Sequence, residues 1–156
     1  MKAYPLKDIK QELNDLSQVE LKELCLRLAR FKKENKELLS YLLFSANKES
    51  EYIEDVKLYI DEQFELINTK NFFFIKKSMR KILTQIKKHI RYSKKKETEI
   101  ELLLYFCKKQ KAFLPSIRNS TQLQNMHNRQ LVLIKKSILT LHEDLQYDYN
   151  LMLDEL

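Results

Sequence analysis

The sequence contains no glycine and no tryptophan, and only two prolines and two cysteines in 156 residues. Average usage would supply about eleven glycines. Glycine lets a backbone take positive φ in tight hairpins or approach a phosphate closely. Its absence excludes the glycine-rich phosphate loop, the dinucleotide fingerprint and the G-x-S-x-G nucleophile turn. Long apolar runs are missing too: the longest, Leu102 to Cys107, is far short of the roughly 20 residues a membrane span needs. Met1-Lys2-Ala3-Tyr4-Pro5 leads into charged residues without an apolar stretch, so no signal peptide is expected. Cys25 and Cys107 both lie among apolar neighbours and read as buried, reduced thiols in helices, which fits a cytoplasmic protein.

What remains is helix-forming composition: hydrophobic residues at 44% and charged residues at 33% indicate a folded chain rather than a disordered one. Apolar stripes of period 3.6 recur, beginning with Leu6, Ile9, Leu13 and Leu16 behind Pro5. Ser17-Gln18-Val19-Glu20 has capping-box spacing and opens a helix over 18–33. Asn35 is expected to cap a third over 36–46, followed by 50–67, 72–92 and 96–113. Leu114 to Ser120, with Pro115, breaks the pattern, and a last helix is expected over 121–145 or beyond. The fold class is all-α, with six or seven antiparallel helices in a bundle or a short solenoid-like repeat array, and 1–156 forms one helical domain. Ile75-Lys76-Lys77-Ser78 returns as Ile134-Lys135-Lys136-Ser137, which either a duplicated helical hairpin or coincidence in a lysine-rich chain produces.

The pattern Leu6-x-x-Ile9 through Leu16-Ser17-x-x-Glu20-Leu21-x-x-Leu24, then Phe31-Lys32-Lys33 and Leu38 to Leu43, resembles small uncharacterised bacterial helical proteins labelled as a domain of unknown function. The similarity is strongest over the first 45 residues and continues through the fifth helix and Leu102-Leu103-Leu104-Tyr105. The resemblance implies a repeat-like helical bundle and a bacterial source, and transfers no active site.

Charge is strongly segregated. From Leu66 to Lys96 there are 11 basic and no acidic residues, leaving 18 basic against 22 acidic elsewhere, a net of −4 in a chain of net +7. At 100° per residue, Lys76, Arg80, Lys87 and Arg91 fall within a 60° strip, with Lys77, Lys81 and Lys88 beside it. Ile75, Met79, Ile82, Leu83, Ile86 and Ile90 gather opposite. The fifth helix therefore predicts a cationic ridge about 30 Å long, at 1.5 Å per residue. Such a ridge attracts phosphates or acidic surfaces; as a solvated face it does nothing further. Phe73 projects onto the lysine side, where it would suit base stacking, but a helix starting after Phe73 would pack that ring on a neighbour instead. Acidic residues of the preceding helix, Glu54, Asp61 and Glu65, are expected to reach Lys76, Lys77 or Arg80.

Other chemistry is sparse. His127 and His142 lie too far apart on one helix to share a metal, His142-Glu143 lacks a second histidine, and His89 sits at a face boundary. The paired carboxylates Glu54-Asp55, Asp61-Glu62, Glu143-Asp144 and Asp154-Glu155 read as solvated faces. No catalytic residue, metal or cofactor is expected. The reading is a non-catalytic binding or scaffold module whose partner is another protein, with binding of nucleic-acid phosphates by the 72–92 helix as the alternative.

Overall fold

The computed structural model describes residues 2–156. The chain is all-α and 81% helical, above the two-thirds that the glycine-free stripes imply, and the described residues contain no strand. They form eight α-helices rather than six or seven. By its internal contacts the chain, read from sequence as one domain, divides into two compact units, Met1–Phe44 and Ser45–Leu156.

The first unit holds α1 (Leu6–Asn14), α2 (Gln18–Phe31) and α3 (Lys33–Ser40). The expected capping box forms: Ser17 Oγ accepts from the Glu20 amide at 3.3 Å, and Glu20 accepts from the Ser17 amide at 2.8 Å. The Ser17 hydroxyl, donating at 2.6 Å, and the Ser17 amide hold the Glu20 carboxyl below its ordinary range. Asn35 is not a cap. Helix α3 begins earlier, after an extended Lys32, and Asn35 Nδ2 donates to the Leu28 carbonyl at 2.8 Å, tying α3 to α2. Helix α3 runs on into a π-turn at Tyr41–Ser45. Cys25 is exposed on α2, contrary to its expected burial, because its apolar neighbours in sequence lie on a helix with no fully buried side chain.

The second unit is organised around one central helix. It comprises α4 (Glu49–Glu65), α5 (Phe72–Ser93), α6 (Lys96–Ala112), α7 (Thr121–Ile138) and α8 (Glu143–Asp154). Helix α6 touches the other four and buries Ile100, Leu102, Leu103, Phe106 and Cys107 on several sides, as a helix surrounded by protein must. Phe106 stacks edge-on with Phe64 of α4 at 5.8 Å. Burial pushes the Cys107 thiol up to about 12, so this cysteine is inert, as expected.

Cross-links fix the helix directions. Lys57 meets Glu101 and Asp61 meets Lys109, so α4 and α6 run parallel. Tyr52 meets His89, so α5 runs against α4; Ser137 meets Glu99, so α7 runs against α6. The α5–α6 turn needs a left-handed residue at the helix end, and without glycine Lys94 takes it at φ 59°. The last predicted helix is two. It breaks at 139–142, where Thr140 turns its hydroxyl onto the Ser137 carbonyl at 2.7 Å and His142 caps α8, its Nδ1 accepting from the Asp144 amide at 3.4 Å.

Candidate functional site

Helix α5 begins at Phe72, where the Asn71 side chain accepts from the Phe74 amide at 3.1 Å. Its apolar stripe, Ile75, Met79, Ile82, Leu83 and Ile86, is buried, so the opposite stripe faces outward. Phe73 lies within the helix and is 61% exposed, so the expectation that it starts before the helix and packs on a neighbour is corrected. It sits under the Lys76 ammonium, 6.0 Å from the ring centroid.

The cations predicted as one ridge divide into three environments. Lys76 is half-buried and donates across to Gln122 Oε1 at the start of α7. Lys77, Lys81 and Arg91 are exposed, and Lys88 is half-buried. Arg80 and Lys87 stand on the rim of an open groove between α5 and α7, which encloses about 880 Å³. Arg129 of α7 stands on the same groove, and sequence reasoning missed it. The available signal was the stripe Gln122, Asn125, Arg129, Val132, which repeats at helical spacing and faces α5. Among the described residues, Lys77, Arg80, Lys81, Lys87, Arg91 and Arg129 make no ion pair.

The acids expected to screen the ridge are engaged elsewhere. Glu54 pairs with Lys57 at 2.8 Å within α4, and Asp61 pairs with Lys109 of α6 at 2.8 Å while accepting from the Tyr105 hydroxyl at 2.6 Å. Partial burial works against the Asp61 charge, but these hydrogen bonds outweigh it and hold the carboxyl below its usual range. Burial and the Asp61 charge push Tyr105 up to about 12. Glu49 accepts from Thr98 Oγ1 at 2.6 Å and pairs with Lys95 at 3.0 Å. Glu65 is exposed and reaches no cation. Helix α4 therefore spends its paired acidic charge within itself, on α6 and on the turn before α6, and the outward side of α5 keeps its positive field.

Beneath the groove the packing is apolar with two buried amides. Gln110 of α6, fully buried, donates through Nε2 toward Met79 Sδ at 3.7 Å and Met126 Sδ at 3.6 Å. Its Oε1 lies 3.2 Å from His127 Nδ1. Burial, with Lys111 nearby, lowers the His127 pKa and keeps the ring neutral. Gln130 lines the groove at 2% exposure, and its Nε2 donates to the Met126 carbonyl at 3.0 Å. Its Oε1 has no donor. A buried acceptor without a donor costs about 1–3 kcal/mol.

The remaining histidines serve the fold. His89 lies among Tyr52, Tyr59 and Tyr92, with Nδ1 2.8 Å from the Tyr52 hydroxyl, and His142 caps α8. Among the described residues no three His, Cys, Asp or Glu side chains are grouped to hold a metal ion, and no helix is long and apolar enough to cross a membrane. No family model matches the chain, and no curated protein or solved structure matches it.

Proposed function

We propose that this protein is a non-catalytic cytoplasmic binding module that holds the phosphate backbone of a nucleic acid on the outward face of α5, with Arg129 of α7 contributing from across the groove. One observation carries the reading: among the described residues, Arg80, Lys87 and Arg91 of this face and Arg129 across the groove make no ion pair, while Glu54 and Asp61 of the neighbouring α4 are paired within α4 and on α6. A row of unpaired cations gains most by replacing the counterions of a polyanion. Charge replacement tests it. In R80Q/K87Q/R91Q, affinity for a fluorescent oligonucleotide should fall at least about tenfold while the far-ultraviolet helix signal stays intact, since each phosphate contact is a separable electrostatic contribution. Unchanged affinity in the folded variant removes α5 as the site.

A second reading, contact with another protein, rests on the first unit. There α1, α2 and α3 carry no fully buried side chain although Leu28 and Phe31 are exposed. An apolar contact of that kind keeps its affinity as salt rises, which separates it from phosphate binding.

A further inference from the structure

The α5–α7 groove has features that a backbone-binding ridge does not need. Here Arg80 and Lys87 on one wall and Arg129 on the other flank an open groove of about 880 Å³. That volume is within the range of built ligand pockets. Leu83 and Met126 lie at its base and Val132 on its wall, so a flat apolar surface could be covered there. Asn125 and Asn128 are exposed along α7 and offer both donors and acceptors. Independently, Gln130 Oε1 is a buried acceptor without a donor in the same groove.

We infer that the groove takes the unstacked bases of a single-stranded nucleic acid, with its phosphates on Arg80, Lys87 and Arg129. This deepens the backbone reading and rests on it. The chemistry of the lining separates the alternatives. A free phosphate or a sulfated sugar has no apolar face for Leu83, Met126 and Val132 to cover. A duplex keeps its base faces stacked, so only an unpaired base presents both a π-face and a free edge. Every base carries at least one N–H, the group that Gln130 Oε1 lacks, while the asparagine amides meet base edges of either polarity. Exposed Phe73, near the end of α5 where Lys76 reaches Gln122, supplies a stacking surface for a further base.

The test compares the full chain with V132W, which fills the groove from an exposed position without removing a charge. Affinities are measured for fluorescent oligo(dT), oligo(U) and a duplex of equal length at one salt concentration. Wild type should bind at least one single strand about tenfold tighter than the duplex, a difference within the range that base stacking supplies. V132W should lose that preference while its duplex affinity changes less than about twofold, because the phosphate contacts remain. Comparing the deoxyribose and ribose strands identifies which is preferred, and either supports the groove. Should V132W fail to fold, N125A/N128A takes its place with the same expected pattern. Single-strand affinity kept in the folded variant, or a wild type that binds duplex as tightly as single strand, overturns the base-binding groove while leaving the backbone reading standing. A wild type that binds none of the three overturns both.

Discussion

Helices α4 and α5 are antiparallel neighbours of opposite charge, and the simplest expectation is that they neutralise each other. They do not. The described cation partners of the α4 carboxylates lie on α4 itself, at Lys48 just before it, on α6 or at Lys95 in the turn before α6, while Arg80, Lys87 and Arg91 of α5 make no ion pair among the described residues. Sequence adjacency makes two helices neighbours, but the phase of each stripe decides which side chains meet. The buried stripe of α5 is what faces α4 and α6, so its cations are turned outward. Glu49, Glu54 and Asp61 of α4 are engaged by the fold, and the charge of Arg80, Lys87 and Arg91 on α5 is left over.

The largest effect expected from this contrast is on binding. Removing three outward cations, as in R80Q/K87Q/R91Q, should cost roughly tenfold or more in oligonucleotide affinity with a change in unfolding free energy within about 0.5 kcal/mol, as for ordinary surface sites. A drop in thermal midpoint comparable to that of a core substitution would show that these side chains are structural. The converse change sits on α4. Asp61→Asn should destabilise by about 1 kcal/mol, because the pair with Lys109 is only partly buried, and leave oligonucleotide affinity unchanged. Its pH signature follows from the lowered folded pKa: the wild-type contribution is fully present above the ordinary 3.8 and is lost as pH falls through the lower folded value. Chemical denaturation at pH 7 and pH 3 of both proteins reads this directly.

Much of this was legible in the sequence, and the failures have local causes. The missing glycines and the stripes fixed the helical class, the Ser17–Glu20 cap and the outward facing of α5. Eight helices appear where six or seven were expected because Thr140 and His142 form a turn from side-chain hydrogen bonds, without proline or glycine to announce it. Asn35 has a cap's chemistry but uses its amide to reach α2. The screening acids were misassigned because Glu54 and Asp61 carry the right charge on the wrong side of α4. The stripe that carries Arg129 was legible within α7, but that it faces α5, and that Gln130 lines the same groove, follows only from the approach of the two helices.

Smaller effects sharpen the separation of fold from charge. Lys94→Gly relieves the left-handed backbone at φ 59° and should stabilise by about 1 kcal/mol while removing a cation outside the groove. Its oligonucleotide affinity should be nearly that of wild type; a large loss would extend the site past the end of α5. His127 is held neutral by burial, so its folded pKa lies below the ordinary 6.5. The stability it contributes is present above pH 6.5 and declines as pH falls toward the folded value. His127→Gln should therefore flatten the stability curve as pH falls below 6.5, and an unchanged slope would place the acid sensitivity elsewhere. In the native state a thiol reagent should modify Cys25 rapidly and Cys107 only on unfolding.

The central claim, that Arg80, Lys87, Arg91 and Arg129 make no ion pair among the described residues and gather phosphates, is tested most directly by the salt dependence of oligonucleotide binding. With Arg80, Lys87, Arg91 and Arg129 each engaging one phosphate of a single strand, log affinity should fall with log salt at a slope near −3, from about −0.7 per contact. R80Q/K87Q/R91Q should shrink that slope to about −0.7. A wild-type slope near zero, or one unchanged in the triple variant, would contradict the account.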